Sequence, residues 1–161
     1  MNSILRRRRA LMGVKKEIPP TKLEAGTFTR GSSEWTVDSN GKVTIINWAQ
    51  STTNAIITPV ETPFDIKNGD NIVFYLFRKS GSPSWHGTDV NLYKSATSSL
   101  INLGNNLSWN WSNNTNSVSK TSTVSGTVTH IYINNRGNPV AESANYAFAI
   151  KITVNGKDVL I

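Results

Sequence analysis

Polar and apolar residues alternate with a period of two from Gly26 onward, and no window there shows a convincing helical period. In NYAFAIKITV, apolar side chains occupy every second position from Tyr146 to Val154. Such a stripe is typical of a strand with one buried face. The predicted strands include EWTVD, KVTIINW, NIVFYLFR, TVTHIYINN, NYAFAIKITV and KDVLI.

Turn residues separate these segments. Asn40-Gly41 and Asn155-Gly156 each lie between two alternating segments, which is the strongest short-range signal for a hairpin. Another turn is predicted at 136–139, where the chain reads Arg-Gly-Asn-Pro. Short strands at spacings of roughly 8–12 residues favour a sandwich or barrel. The sequence therefore predicts an all-β, antiparallel β-sandwich of the jelly-roll type.

The segment NIVFYLFR is apolar on both of its predicted faces. Its two sets of side chains are Ile72, Phe74 and Leu76 on one face, and Val73, Tyr75 and Phe77 on the other. Such a strand is either central and covered on both sides, or part of a subunit contact. The pattern leaves both interpretations open.

Charge divides the chain into two parts. The 161 residues carry a formal net charge of +7 and no cysteine, which excludes a disulfide scaffold and a cysteine-based zinc site. Residues 1–24 account for +5 of this charge, and the rest of the chain for +2. We therefore predict a basic arm with its linker at 1–24 and a nearly neutral sandwich at 25–161. The high pI is no sign of a nucleic-acid-binding face on the domain itself.

The arm has too few consecutive apolar residues to be a secretory signal peptide. The run after Arg9, ALMGV, falls short of the roughly 7–15 apolar residues of a signal peptide, and no stretch approaches a membrane span of roughly 20. A short helix from a cap at Ser3 to Gly13 is predicted, followed by an extended tether at 18–20. Its expected docking residues are Ile4, Leu5, Arg6, Arg7, Arg8, Arg9, Leu11 and Met12.

Four readings of the arm remain open. It could dock into another protein, contact nucleic acid, lie on a membrane surface, or be a solvated tail. Four consecutive arginines suit an acidic partner of any kind. Of the four interpretations, we predict docking onto another protein. Nucleic acid is not expected as a partner except through the arm.

No catalytic pattern stands out. His86 lies in a turn-rich loop with serines and Asp89, but no Gly-x-Ser-x-Gly motif accompanies it. His130 lies in the strand TVTHIYI and is interpreted as structural. Histidine-rich metal motifs, an EF-hand loop and a phosphate-binding glycine loop are absent. Neither an enzyme, a metal site nor a cofactor is predicted.

Two tryptophans, Trp109 and Trp111, lie one residue apart in the Asn- and Ser-rich segment NNLSWNWSNNTNS. On a strand they share one face, so they are either core residues or a flat platform on which a sugar ring stacks. A continuous apolar face usually packs into the core, but the surplus of amides and hydroxyls keeps a ligand site open as an alternative, because a plain core strand does not need it. The candidate ligand-binding residues are Trp109, Trp111, Asn110, Trp85, His86 and Tyr93.

The order GTFTR, KVTIINWAQ, PFDIKNGDNIVFYLFRKSGS resembles small β-sandwich domains encoded by phages and prophages of gut bacteria. In those domains a strand of the type G-x-V-T-I-N-G-x-A precedes a segment F-x-L-x-x-G-x-Y-x-F. With a one-residue departure at 70–71, the second motif is matched by Phe64, Ile66, Gly69, Ile72 and Phe74. The start ILRRRRALMGVKK is similar to the Arg-rich leaders of phage structural proteins. The resemblance implies a virion component with a topology like that of carbohydrate-binding modules, but it supplies no binding residues.

We therefore predict a bacteriophage structural protein of the tail, baseplate, head fibre or capsid surface. It would be made in the host cytoplasm and located in the virion, where the arm docks onto other virion proteins. The sandwich, expected as a homo-oligomer, would face outward and offer a surface to host polysaccharide. The alternative is a stand-alone carbohydrate-binding or adhesion module.

Overall fold

The computed structural model describes residues 17–81, 87–108, 113–136 and 146–161. Within these residues, strands alternate with short turns, and the one helical element is a 3-10 turn at Thr52–Asn54. No helix in these ranges is long and apolar enough to cross a membrane. The strands are β1 (Gly26–Arg30), β2 (Ser33–Val37), β3 (Val43–Asn47), β4 (Ile56–Ile66), β5 (Asn71–Ser80), β6 (Thr88–Ser95), β7 (Ser98–Leu107), β8 (Thr115–Thr121), β9 (Gly126–Asn135), β10 (Ala147–Val154) and β11 (Lys157–Leu160).

The strands form two antiparallel sheets. The larger sheet has the order β1-β2-β3-β10-β5-β8, with β11 pairing onto β10, and the smaller sheet has the order β4-β9-β6-β7. From β3 to β10 the chain crosses to the other sheet at every connection except the β6–β7 hairpin. Two four-stranded orders joined in this way, β3-β10-β5-β8 and β4-β9-β6-β7, are a jelly roll. The predicted β-sandwich is confirmed, and residues 1–16 of the predicted arm and linker lie outside the described residues.

The core lies between the sheets and is built from alternate positions of the strands. The predicted apolar stripe on β10 is confirmed, because Phe148, Ile150 and Ile152 are all buried in the core. Trp35 and Trp48 are also buried there, and Trp35 Nε1 donates a hydrogen bond to Thr58 Oγ1 at 3.0 Å. Large aromatic side chains are thus used for packing in this fold.

Both predicted Asn-Gly hairpins are present. Gly41 has a φ of 79°, and the Asp38 carboxylate accepts hydrogen bonds from the backbone N–H groups of Asn40 and Lys42, both at 2.9 Å. Asn155 and Gly156 have φ values of 51° and 79°, as a two-residue turn between twisted strands requires. The turn predicted at 136–139 falls largely outside the described residues.

The sandwich begins before residue 25. Thr21 forms a parallel bridge with Leu160, and Leu23 forms an antiparallel bridge with Val60. The Leu23 side chain is 1% exposed and belongs to the core. Residues 21–24, placed in the arm and linker by their charge and the preceding prolines, therefore belong to the folded domain.

The structure bears on the two interpretations that the sequence of β5 leaves open. Its inner-face residues Ile72, Phe74 and Leu76 are fully buried, but the side chains of Val73, Tyr75 and Phe77 are only partly buried and point away from the core. Within the described residues, β5 is therefore fully covered on its inner face only. It lies between β10 and the edge strand β8. A subunit contact on the outer face of β5 stays a prediction.

Candidate functional site

Two aromatic rings lie side by side on the outer face of β5. Tyr75 and Phe77 are two positions apart on the strand, so both project to the same side of the sheet. Their ring planes differ by 11°, and their centroids are 6.1 Å apart. The two nearly parallel rings form an apolar patch on the side of the sheet that faces away from the core.

The neighbouring strands place short side chains around these rings. On β8, Thr115 pairs with Phe77 and Ser117 pairs with Tyr75, and both β8 residues are exposed. On β10, Ala149 pairs with Phe77. None of these side chains is long enough to cover an aromatic ring, and two of them bring hydroxyl groups. We call Val73, Tyr75 and Phe77, with their cross-strand neighbours, the Tyr75–Phe77 face.

A charged pair borders this face on the β10 side. Lys151 pairs with Tyr75 across the strands, and its Nζ lies 5.8 Å from the centre of the tyrosine ring. An ammonium group at this distance is attracted to the ring by about 0.5–1 kcal/mol when exposed. The same Nζ is 3.0 Å from the carboxylate of Asp158, and both side chains are well exposed. The face thus has a hydrogen-bond donor and an acceptor beside its apolar surface.

Each tryptophan-bearing segment joins a strand at this face to a strand of the smaller sheet. Trp85, His86, Trp109, Asn110 and Trp111 all lie outside the described residues. The structure describes the residues on either side of these segments, and those residues lie at one end of the sandwich. On the larger sheet, the N–H of Arg78, near the end of β5, donates to the carbonyl oxygen of Asn114, just before β8, at 2.9 Å. On the smaller sheet, Thr88 at the start of β6 pairs with Leu107 at the end of β7.

Tyr93 lies elsewhere. It projects from β6 on the outer face of the smaller sheet, where its ring stacks on Tyr132 at a centroid distance of 5.0 Å and an angle of 10°. Burial raises the pKa of Tyr93, and it raises the pKa of Tyr132 to about 12. The structure does not bring Tyr93 to the Tyr75–Phe77 face, because the two belong to opposite sheets.

Asp89 is a structural carboxylate. It is buried, and its oxygens accept hydrogen bonds from Arg136 Nε at 2.6 Å, Asn134 Nδ2 at 3.1 Å and the N–H of Asn106 at 2.8 Å. These contacts join the start of β6 to the ends of β7 and β9. A carboxylate with three such partners holds strand ends together, which is a different task from orienting a catalytic histidine.

The other candidates for chemistry also have local partners. His130 Nδ1 is 2.8 Å from Thr129 Oγ1, and burial lowers the pKa of this histidine. Asp70 accepts hydrogen bonds from the N–H of Lys67 and from the Asn155 amide, which lower its pKa. Among the residues that the structure describes, no three His, Cys, Asp or Glu side chains are grouped as a metal site requires.

Sequence reasoning missed Tyr75 and Phe77 as site residues. The alternation of β5 identified their common face, but not what covers it. The sequence feature that indicates a partly exposed face is the run of short residues on β8, where Thr115, Ser117 and Ser119 share one side. That signal becomes visible only once β8 is known to pair with β5.

Comparisons with known proteins agree with this architecture. No protein-family model matches the chain, and no curated protein matches it. Among solved structures, it is similar to a low-affinity xylan-binding module, CBM86, of the gut symbiont Roseburia intestinalis. The similarity has a TM-score of 0.50 at 10% identity and covers 83% of this chain and 87% of the module. The likeness is one of fold. Nothing in the comparisons supports a phage or prophage origin.

Proposed function

We propose that this chain is a carbohydrate-binding module and that its Tyr75–Phe77 face stacks against the sugar rings of a polysaccharide. The observation that carries the proposal is the pair of parallel, partly exposed rings with hydroxyl groups along one side. Flat aromatic rings suit the apolar faces of sugars, while hydroxyl, ammonium and carboxylate groups suit the sugar hydroxyls. A xylan-binding module uses a similar fold, which supports the proposal at the level of architecture.

Trp109, Trp111 and Trp85 are proposed to extend the same surface. Their segments connect to strand ends at the Phe77 end of the face, where Phe77 pairs with Thr115. A saccharide chain that runs along β5 would therefore reach them after Phe77. Asn110 and His86 would supply polar contacts in this arrangement, and Tyr93 would take no part.

Affinity electrophoresis of the full chain in gels containing soluble polysaccharides tests the proposal. The panel contains the neutral polysaccharides xylan, glucan and mannan. We expect retardation by at least one of them. The double variant Tyr75→Ala/Phe77→Ala should weaken that binding about 30-fold, since each stacked ring contributes about 1 kcal/mol.

A matched control is available on the same sheet. Ile46 is exposed on β3, outside the Tyr75–Phe77 face, so Ile46→Ala should leave binding unchanged. The melting temperatures of all variants should stay close to that of the wild type, because the changed side chains lie outside the core. Full binding by the folded double variant, or no retardation anywhere in the panel, would overturn the proposal.

The pair Trp109→Ala/Trp111→Ala separates the two interpretations of these tryptophans. If they belong to the binding surface, the variant remains folded and loses affinity. If they are core residues, the variant loses stability in urea.

A further inference from the structure

A separate pocket lies at the end of the sandwich where β9 ends. It has a volume of about 310 Å³ where the β3–β4 connection meets the end of β9. Gln50 closes one side by donating from Nε2 to the carbonyl oxygen of Arg136 at 2.9 Å. The residues that line it all have polar side chains and are Gln50, Ser51, Thr52, Asn134, Asn135 and Arg136.

Asn134 contributes a buried acceptor with no donor. The side chain is 1% exposed, and its Nδ2 donates to Asp89 Oδ2 at 3.1 Å. That hydrogen bond fixes the orientation of the amide, because only the NH₂ group can donate to a carboxylate. The other atom, Oδ1, has no hydrogen-bond partner in the structure. A buried carbonyl oxygen left without a donor costs about 1–3 kcal/mol, so the site favours a ligand that brings a hydroxyl group.

Arg136 contributes an oriented cation. Its Nε donates to Asp89 Oδ2 at 2.6 Å, while half of its side chain remains exposed. A guanidinium has five N–H donors in a fixed planar fork that matches a carboxylate. The bond to Asp89 therefore holds the group in place and leaves donors for a second acceptor.

A second arginine makes this region positive overall. Arg30 Nη1 donates to the carbonyl oxygens of Thr52, at 2.7 Å, and Ala55, at 3.2 Å. Thr52 lines the pocket, so Arg30 stands at its border. Of the charged groups described around the pocket, Arg30 and Arg136 are positive and Asp89 is negative. An anionic ligand is favoured over a cation.

We propose that this pocket binds a uronic acid residue of an acidic saccharide. The sugar carboxylate lies against the guanidinium of Arg136, and a neighbouring sugar hydroxyl donates to Asn134 Oδ1. The site is independent of the Tyr75–Phe77 face, since it is built on β9 and the β3–β4 connection. The chain would then hold a neutral stretch of polysaccharide at the Tyr75–Phe77 face and an acidic sugar at this pocket.

Calorimetric titration of the full chain with trigalacturonate, beside a neutral trisaccharide of the same length, tests this site. We expect the acidic sugar to bind more tightly and to weaken as salt concentration rises. Arg136→Lys keeps the charge but loses the planar fork, and it should weaken uronate binding at least tenfold. Since this change also disturbs Asp89, the charge-neutral pair Asp89→Asn/Arg136→Gln is a second variant that should abolish the preference for the acidic sugar.

The Tyr75→Ala/Phe77→Ala variant separates the two sites. It should bind trigalacturonate as the wild type does, even where it no longer binds neutral polysaccharide. Equal affinity for the two trisaccharides would overturn the uronate site, and so would unchanged binding by folded Arg136→Lys. No binding at tens of millimolar would also overturn it. None of these results bears on the Tyr75–Phe77 face.

Discussion

Replacing Leu23 with alanine should destabilise the sandwich by about 3 kcal/mol, although charge alone assigns this residue to the arm. The side chain is 1% exposed and packs into the core. Removing three buried carbon atoms costs about 2.4 kcal/mol at roughly 0.8 kcal/mol for each, and the cavity adds to this. The backbone on both sides of Leu23 is held as well, because Glu24 N–H donates to Pro59 O and Glu61 N–H donates to Lys22 O, both at 2.8 Å.

Urea unfolding followed by tryptophan fluorescence measures this change, since Trp35 and Trp48 are buried in the core and report its exposure. Ile18→Ala is the matched control. Ile18 lies five residues earlier and is 88% exposed, so its loss should change the free energy of unfolding by less than about 0.5 kcal/mol. A Leu23→Ala variant as stable as Ile18→Ala would refute the reasoning and return residues 21–24 to the arm.

Two further predictions concern the backbone and pH. Gly31→Ala should lower the free energy of unfolding, measured in urea, by about 1–3 kcal/mol, which is more than Gly69→Ala should lower it. Both glycines have positive φ, but of the two only Gly31 would place a Cβ against a side chain, that of Asn54. Equal costs would contradict the collision. Because the pKa of Tyr132 is raised from 10 to about 12, its contribution to stability is complete below pH 10 and is lost as pH rises towards 12, by up to about 3 kcal/mol. Tyr132→Phe should remove this part of the alkaline loss in urea titrations at pH 9 to 11, and an unchanged pH profile would contradict the assignment.

Much of the fold follows from local features of the sequence. The stripe on β10 and the Asn-Gly turns depend on neighbouring residues alone, and both are present in the structure. The Tyr75–Phe77 face depends on which strands lie beside β5, and the neighbours of β5, β8 and β10, are distant in the chain. Alternation tells one face of a strand from the other but not what covers each face.

The start of the domain cannot be located from local sequence features for the same reason. Leu23 lies among charged residues that follow two prolines, which is typical of a linker. Its place in the core comes from pairing with Val60, and Thr21 pairs with Leu160 at the far end of the chain. No local pattern contains these long-range pairings.

Attachment to a virion through the arm stays a prediction. Its docking residues lie within 1–16, outside the described residues, and nothing in the comparisons supports a role in a virion. Expression of the full chain beside a variant in which the four arginines at 6–9 are changed to glutamine would show whether the arm recruits a partner. Loss of that partner without loss of saccharide binding would show that the arm and the sandwich act separately.

The most direct test of the carbohydrate-binding proposal is an NMR titration of the isotope-labelled full chain with an oligosaccharide of the polysaccharide that retards it. We expect the largest backbone amide shifts along the outer face of the larger sheet, at Tyr75, Phe77, Ser117 and Lys151. Shifts confined to the opposite sheet, around Tyr132, would contradict the account, because saccharide binding would then occur without the Tyr75–Phe77 face.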